Sequence, residues 1–225
     1  MIEVKQLTRS FKDGDRQVEV LKGIDFLADT GEFISIMGRS GAGKSTLLYQ
    51  MSLLDYPTSG EIIIDNLSTQ DLHADARTNF RLMHFGYVFQ DYALLPELTA
   101  LDNVVLPLLM QGEEKKKAYA RAIETLTVVG LENRLNNVPS KMSGGEQQRV
   151  SIARGIVHHP KILFADEPTA NLDNESSEVV MKLFRQLNKE GQTIIMVTHE
   201  TEYAKLADRI VKIDDGKIIS IQKNN

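Results

Sequence analysis

With 225 residues, 42% of them hydrophobic and 25% charged, the chain has the proportions of one globular domain. A net charge of −5 and a single dense basic run, Lys115-Lys116-Lys117, argue against a nucleic-acid partner. Without cysteine there is no disulfide framework or thiolate metal site; no apolar run nears the ~20 residues that cross a bilayer, and Met1-Ile2-Glu3-Val4-Lys5 has no apolar signal region.

Along the chain, residues 2–36 hold short alternating segments at Ile2–Lys5, Val18–Leu21 and Gly23–Phe26, which predict antiparallel strands joined by turns such as Asp13-Gly14. Glu32–Met37 reads as a strand and Ser45–Met51 as a helix, and Ile62–Asp65 continues the antiparallel style after Ser59-Gly60. From Phe85–Phe89 onward the pattern becomes strand then helix. Ile162–Ala165 and Thr193–Val197 are apolar runs of the kind buried in a parallel α/β sheet. About residues 97–141 read as all-helical: Leu101–Met110 with a kink at Pro107, then Glu113–Val129 closing at Gly130. The tail Lys223–Asn225 reads as frayed.

The most informative stretch runs from Gly38 through Arg39, Ser40, Gly41, Ala42, Gly43, Lys44 and Ser45 to Thr46. Gly38, four residues, then Gly43-Lys44-Ser45 is the phosphate-cradling P-loop spacing, with a strand before it and a helix after it. Glycine-rich backbone lets successive N–H groups turn inward, and the helix adds its positive end. Lys44 would reach the β- and γ-phosphates, and the Ser45 hydroxyl would ligate Mg²⁺. The chain is therefore expected to bind a nucleoside triphosphate.

Hydrolysis needs two further groups, and Asp166-Glu167 supplies them at the end of the apolar run Ile162–Ala165. Asp166 would hold Mg²⁺ directly or through water. Glu167 would act as general base or orient the attacking water, its direction fixed by Pro168. A second motif, Ser143-Gly144-Gly145-Glu146, opens the helix 147–157. Ser143 and Glu146 form a capping box, which leaves the glycines unexplained. Each costs about 1 kcal/mol against alanine in a helix. A close approach of their N–H groups to an anion would explain them, and a second phosphate cradle suggests a nucleotide shared between two copies.

Taken together, these motifs resemble the ATP-binding cassette (ABC) family over essentially the whole chain. Residues 38–45 match its Walker A motif, 162–167 its Walker B motif, and the stretch around Ser143 its signature. The resemblance implies further roles. Gln90 matches the Q-loop glutamine that senses Mg²⁺ and the γ-phosphate; Thr169–Asp173 resembles the D-loop, with Asp173 at the dimer interface. His199 matches the switch histidine, and Phe11 stands where an aromatic stacks on adenine. The catalytic groups would be Lys44, Gln90, Glu167 and His199. Met142 and Glu146 replace the usual Leu and Gln of the signature, and Phe11 the usual Tyr; the first preserves an apolar anchor, the second fits the cap and the third keeps the stacking face.

The implied fold is α/β: a P-loop NTPase core with a mainly parallel sheet, an N-terminal antiparallel β subdomain and a helical subdomain insertion. Residues 1–225 would form one domain, with 1–90 and 143–225 as the ATP-binding core and about 91–142 as the helical part. The family implies a head-to-tail homodimer that clamps ATP and Mg²⁺. It also implies a transmembrane permease partner, with the ATPase peripheral at the cytoplasmic face of the inner (plasma) membrane. The cluster Tyr92, Ala93, Leu94, Leu95, Pro96 and Leu98 is a candidate docking surface or helical-subdomain core.

Residues 90–104 and 165–173 look most like the branch of lipoprotein-releasing (LolD-like), macrolide-efflux (MacB-like) and cell-division (FtsE-like) ATPases. Export, extraction or mechanotransmission of a lipoprotein, peptide, haem or drug is the first functional expectation. A regulatory ATPase acting on a membrane partner in cell division or envelope remodelling is the second. A GTPase reading fails, because Asn188-Lys189-Glu190-Gly191 lacks the aspartate of a guanine-reading motif.

Overall fold

The computed structural model describes residues 1–14 and 16–224. Two long strands, β1 (Ile2–Asp13) and β2 (Arg16–Ala28), form a hairpin that β4 (Ser59–Ile64) and β5 (Leu67–Ser68) extend into a sheet ordered β2-β1-β4-β5. A second sheet carries β3 (Phe33–Met37), β6 (Phe85–Val88), β7 (Ile162–Asp166), β8 (Thr193–Val197), β9 (Arg209–Asp214) and β10 (Lys217–Lys223), ordered β10-β9-β3-β8-β7-β6. Every neighbouring pair in it is parallel except β10-β9.

Alternation along these strands builds two cores. Ile34, Ile36, Phe164, Ile195 and Val197 face one side, where they meet Leu47 and Leu48 of α1 (Lys44–Met51) and Leu21, Ile24 and Ile62 of the antiparallel sheet. Leu163, Ala165, Ile194 and Met196 face the other side, toward the helices. There α5 (Gly144–Ile156) and α6 (Asn174–Lys189) cover the sheet, and α3 (Ala100–Met110) and α4 (Lys115–Val128) pack on α5. The shorter α2 (Ala74–His84) lies against β6, and α7 (Thr201–Ala204) follows β8.

The expected fold class holds, with corrections in detail. The three N-terminal segments are parts of two strands: register shifts at Val4/Leu7 and Arg9/Ser10 interrupt the alternation of β1 without ending it. Ser59-Gly60 opens β4, where Ser59 pairs with Thr8. The span 97–141 is not helical throughout; α3 and α4 are separated by a turn, and residues 131–138 are irregular before a single 3₁₀ turn at Pro139–Lys141. Pro107 lies inside α3, and α4 closes at Gly130 as expected, with Leu131 N–H donating to Leu126 and Gly130 N–H to Thr127. Lys115, Lys116 and Lys117 are exposed on the first turn of α4. The tail is not frayed at Lys223 or Asn224. Lys223 pairs with Arg209, and Asn224 donates to the Asp208 and Ala207 carbonyls, both at 2.8 Å; Asn225 lies outside the described residues.

The signature helix is pressed onto the sheet edge through glycine. A Cβ on Gly86 of β6 would overlap the backbone carbonyl of Gly155 on α5. Gly86→Ala is therefore expected to lower stability by about 2 kcal/mol, as overpacking at backbone contact does. Urea unfolding of the two proteins, compared at their midpoints, measures this.

Candidate nucleotide site

All five residues of β3 are buried, and the chain leaves the sheet at Gly38. Gly41 at φ +76° and Gly43 at φ +99° turn it back into α1, whose N-cap is Gly43 itself. With no capping side chain, the first N–H groups of α1 stay open toward the loop. The loop borders a cleft of about 1030 Å³ that also takes in Thr46, Glu167 and His199, with Val20, Lys212 and Ile219 on its outer side. Lys44 is only 7% exposed, and its ammonium donates to the Arg39 carbonyl at 3.1 Å. Among the described residues no carboxylate pairs with this buried cation, so an anion in the loop would complete it. The Arg39 guanidinium turns outward onto Asp214, with both oxygens at 2.9 Å, so Arg39 contributes backbone to the cradle rather than its charge.

The second half of the site comes from β7. Ser45 Oγ donates to Asp166 Oδ1 at 2.9 Å, joining loop and strand end. Burial pushes the Asp166 carboxyl above its usual range; the Ser45 and Tyr49 hydroxyls oppose the shift, the Glu167 charge adds to it, and Lys44 opposes it. A divalent cation beside Ser45 and Asp166 would remove the penalty of ionising this buried acid, so the pair fits Mg²⁺. Glu167 has φ +45°, a costly backbone for a residue with a Cβ, and its N–H donates to the Val197 carbonyl at 2.9 Å. Its Oε2 is 3.0 Å from His199 Nδ1, although the two residues are 32 apart in sequence.

Other expected site residues stand apart from this cleft. Ala42 is buried beneath the loop. Gln90 is exposed just past β6, its carbonyl accepting from Asn171 Nδ2 at 2.9 Å. Phe11 pairs with Val18 on the β1-β2 hairpin, and the Arg9 guanidinium covers its ring at 4.4 Å. The apolar lining of the cleft comes instead from Val20, Met37, Ile213 and Ile219, which no sequence motif marks. The cluster after Gln90 divides: Leu94 packs on the helical core, while Ala93, Leu95 and Pro96 are exposed. Buried Asn103 holds that loop through the Leu95 N–H and the Leu95, Leu98 and Thr99 carbonyls.

Ser143, Gly144, Gly145 and Glu146 form the first turn of α5, also outside the cleft. The capping box is complete: Glu146 N–H donates to Ser143 Oγ at 3.2 Å and Ser143 N–H to Glu146 Oε2 at 2.8 Å. Arg134 at 2.7 Å and the cap hold the Glu146 carboxyl below its usual range. The two glycines are also crowded within the chain. A Cβ on Gly144 would lie 2.8 Å from the Tyr92 hydroxyl, and one on Gly145 2.6 Å from Ser176 Oγ and 2.8 Å from its Cβ. Ser176 leaves no room for a Cβ at position 145, whereas at position 144 the Tyr92 side chain alone would have to shift. Asp173 is the N-cap of α6, accepting from Ser176 N–H and Oγ at 2.8 and 2.9 Å, bonds that depress its carboxyl pKa.

A sequence profile described as ABC transporter matches residues 21–170. The chain belongs to the ABC transporter family. It is 46% identical to the lipoprotein-releasing system ATP-binding protein LolD of Syntrophotalea carbinolica, over 97% of this chain and 96% of that one. It is 47% identical to the macrolide export ATP-binding/permease protein MacB of Mannheimia succiniciproducens, over 97% of this chain but only 34% of MacB. Among solved structures, the dimeric post-hydrolysis state of the Methanocaldococcus jannaschii cassette MJ0796 bound to ADP and Pi matches with a TM-score of 0.94 and 40% identity, covering 100% of this chain and 99% of that one. Among the described residues no helix is long and apolar enough to cross a membrane.

Gly145→Ala should cost about 2 kcal/mol of stability by forcing α5 away from Ser176. Removing the opposing side chain with Ser176→Gly should restore roughly half of that loss, because the relieved clash outweighs a weaker helix start. Thermal unfolding of the two single variants and the double variant tests the coupling.

Proposed function

We propose that two copies of this chain clamp two ATP molecules head to tail, and that hydrolysis at the shared sites drives a transmembrane permease. The observation that carries this reading is the division of the motifs. One cleft gathers residues 38–41 and 43–46, Glu167 and His199, while Ser143–Glu146 opens a different helix outside it. A cleft of this kind is half a site, and the other half belongs to a second copy. That MJ0796 was solved as a dimer with ADP and Pi supports the same arrangement.

In this reading the P-loop N–H groups and Lys44 hold the β- and γ-phosphates, and Val20 and Ile219 offer an apolar wall to the base. Phe11 adds its ring once Arg9 leaves it. Ser45, Asp166 and Gln90 would hold Mg²⁺, which neutralises charge on the phosphate oxygens. Glu167 accepts a proton from the attacking water as the bond from the γ-phosphorus to ADP breaks. His199 holds the Glu167 carboxylate and reaches the γ-phosphate. Ser143, with the N–H groups of Gly144, Gly145 and Glu146, closes on the other copy's γ-phosphate, and Asp173 lines the dimer contact.

The chain acts as a single cassette of residues 1–225, in which about 91–142 form the helical part that relays closure. The likeness to MacB, an ATP-binding/permease protein, supports a permease as the membrane partner. The resemblance to LolD favours lipoprotein extraction or a related export at the cytoplasmic face of the membrane. Ser143→Arg should cut turnover roughly 100-fold, the scale of losing transition-state contacts, and leave ATP affinity of the isolated chain within about twofold. Nucleotide titration and phosphate release measure both. Loss of ATP affinity in the monomer would place Ser143 at the chain's own nucleotide and contradict the shared site.

A further inference from the structure

Gln148 is fully buried on α5, five residues after the signature serine. Its Nε2 donates to the Pro168 carbonyl at 2.7 Å, and its Oε1 has no partner among the described residues. Proline has no N–H, so only its carbonyl can answer, and the glutamine must present its NH₂ group there. A buried amide with one orphaned atom is less stable than an apolar side chain of the same shape. Stability therefore does not account for glutamine at this position.

The location of the bond does. Pro168 follows Glu167, whose φ of +45° persists only if the backbone is held on both sides. On one side the Glu167 N–H is fixed to Val197; on the other, Pro168 is fixed to Gln148. The same helix also holds the loop after Gln90, where Arg154 donates to the Ala93 and Tyr92 carbonyls at 2.6 and 3.0 Å. The helix that opens at Ser143 is thus bonded directly beside the carboxylate of its own chain's cleft.

We propose that Gln148 is a positioning residue for ATP hydrolysis, its buried amide holding Pro168 so that the Glu167 carboxylate stays aimed at the attacking water. The proposal rests on the reading of Glu167 as the hydrolytic carboxylate. Gln148 does not line the cleft; it acts through the backbone of its neighbour in space. Because it rides on α5, it also makes the aim of Glu167 depend on where that helix stands.

The test uses the full chain with Gln148→Met, which keeps the length and volume and removes both polar atoms. The melting temperature should stay level or rise, since an orphaned buried acceptor is lost. ATP affinity and KM should stay within about twofold while kcat falls about tenfold or more, the scale of a misplaced catalytic group. In a Glu167→Gln background the same substitution should change the residual rate by less than about twofold, because the effect passes through the carboxylate. Gln148→Asn, whose amide is one carbon too short to reach Pro168, should show the same kcat loss and serves if the methionine variant does not fold. An unchanged kcat, a kcat loss that tracks a lower melting temperature, or the full loss persisting without the Glu167 carboxylate would each overturn the proposal. If Glu167→Gln alone turned over at the parental rate, the role of Glu167 would fall first and the role of Gln148 with it.

Discussion

Parallel strands all end on the same edge of their sheet, and that constraint organises this molecule. β3, β6, β7 and β8 run in one direction, so the P-loop, Gln90, Asp166-Glu167 and His199 emerge together although 161 positions separate Gly38 from His199. The apolar runs that make those strands fit only a doubly covered sheet, and helices and the antiparallel sheet supply the two covers. What collects at the edge is chemically incomplete. A buried Lys44 has no carboxylate partner among the described residues, and a buried Asp166 is pushed toward its protonated form. Triphosphate and a divalent cation supply the charges that both groups lack.

The helical side meets the sheet with little freedom. α5 touches β6 at backbone distance through Gly86 and Gly155, meets α6 through Gly145 and Ser176, and reaches Pro168 through Gln148. Contacts this close transmit displacement instead of absorbing it. A helix whose first turn lies outside its own cleft, yet whose later turns bond the loops of that cleft, is suited to couple one nucleotide to another. The loop of residues 169–173 belongs to the same assembly. Asn171 donates to the Gln90 carbonyl, and the Tyr92 hydroxyl donates to Asn171.

The sequence was most legible where chemistry restricts residue type. The P-loop, Asp166-Glu167, the capping box at Ser143 and the apolar strands β3, β7 and β8 all stand where their patterns put them. The β9-β10 hairpin and α2 carry no such restriction and leave no clear pattern; β10 alternates weakly because nearly all of it is exposed. Bulges hid the length of β1, since a shifted register interrupts the period of two on which strand reading depends. Partners in space were the least legible. Nothing local says that Arg9 covers Phe11, that Val20 and Ile219 wall the cleft, or that Ser176 forbids a Cβ at Gly145. The glycine pair stands out in the sequence by its cost in a helix, but nothing local shows that residues from two distant segments also crowd it.

The central claim is that the nucleotide cleft is completed by a second copy of the chain, and mass in solution tests it most directly. Sedimentation of the Glu167→Gln chain should show a monomer with MgADP and a dimer with MgATP, with the dimer lost when Ser143→Arg is added. A monomer under both nucleotides at micromolar protein, or a dimer indifferent to nucleotide and to Ser143, would contradict it.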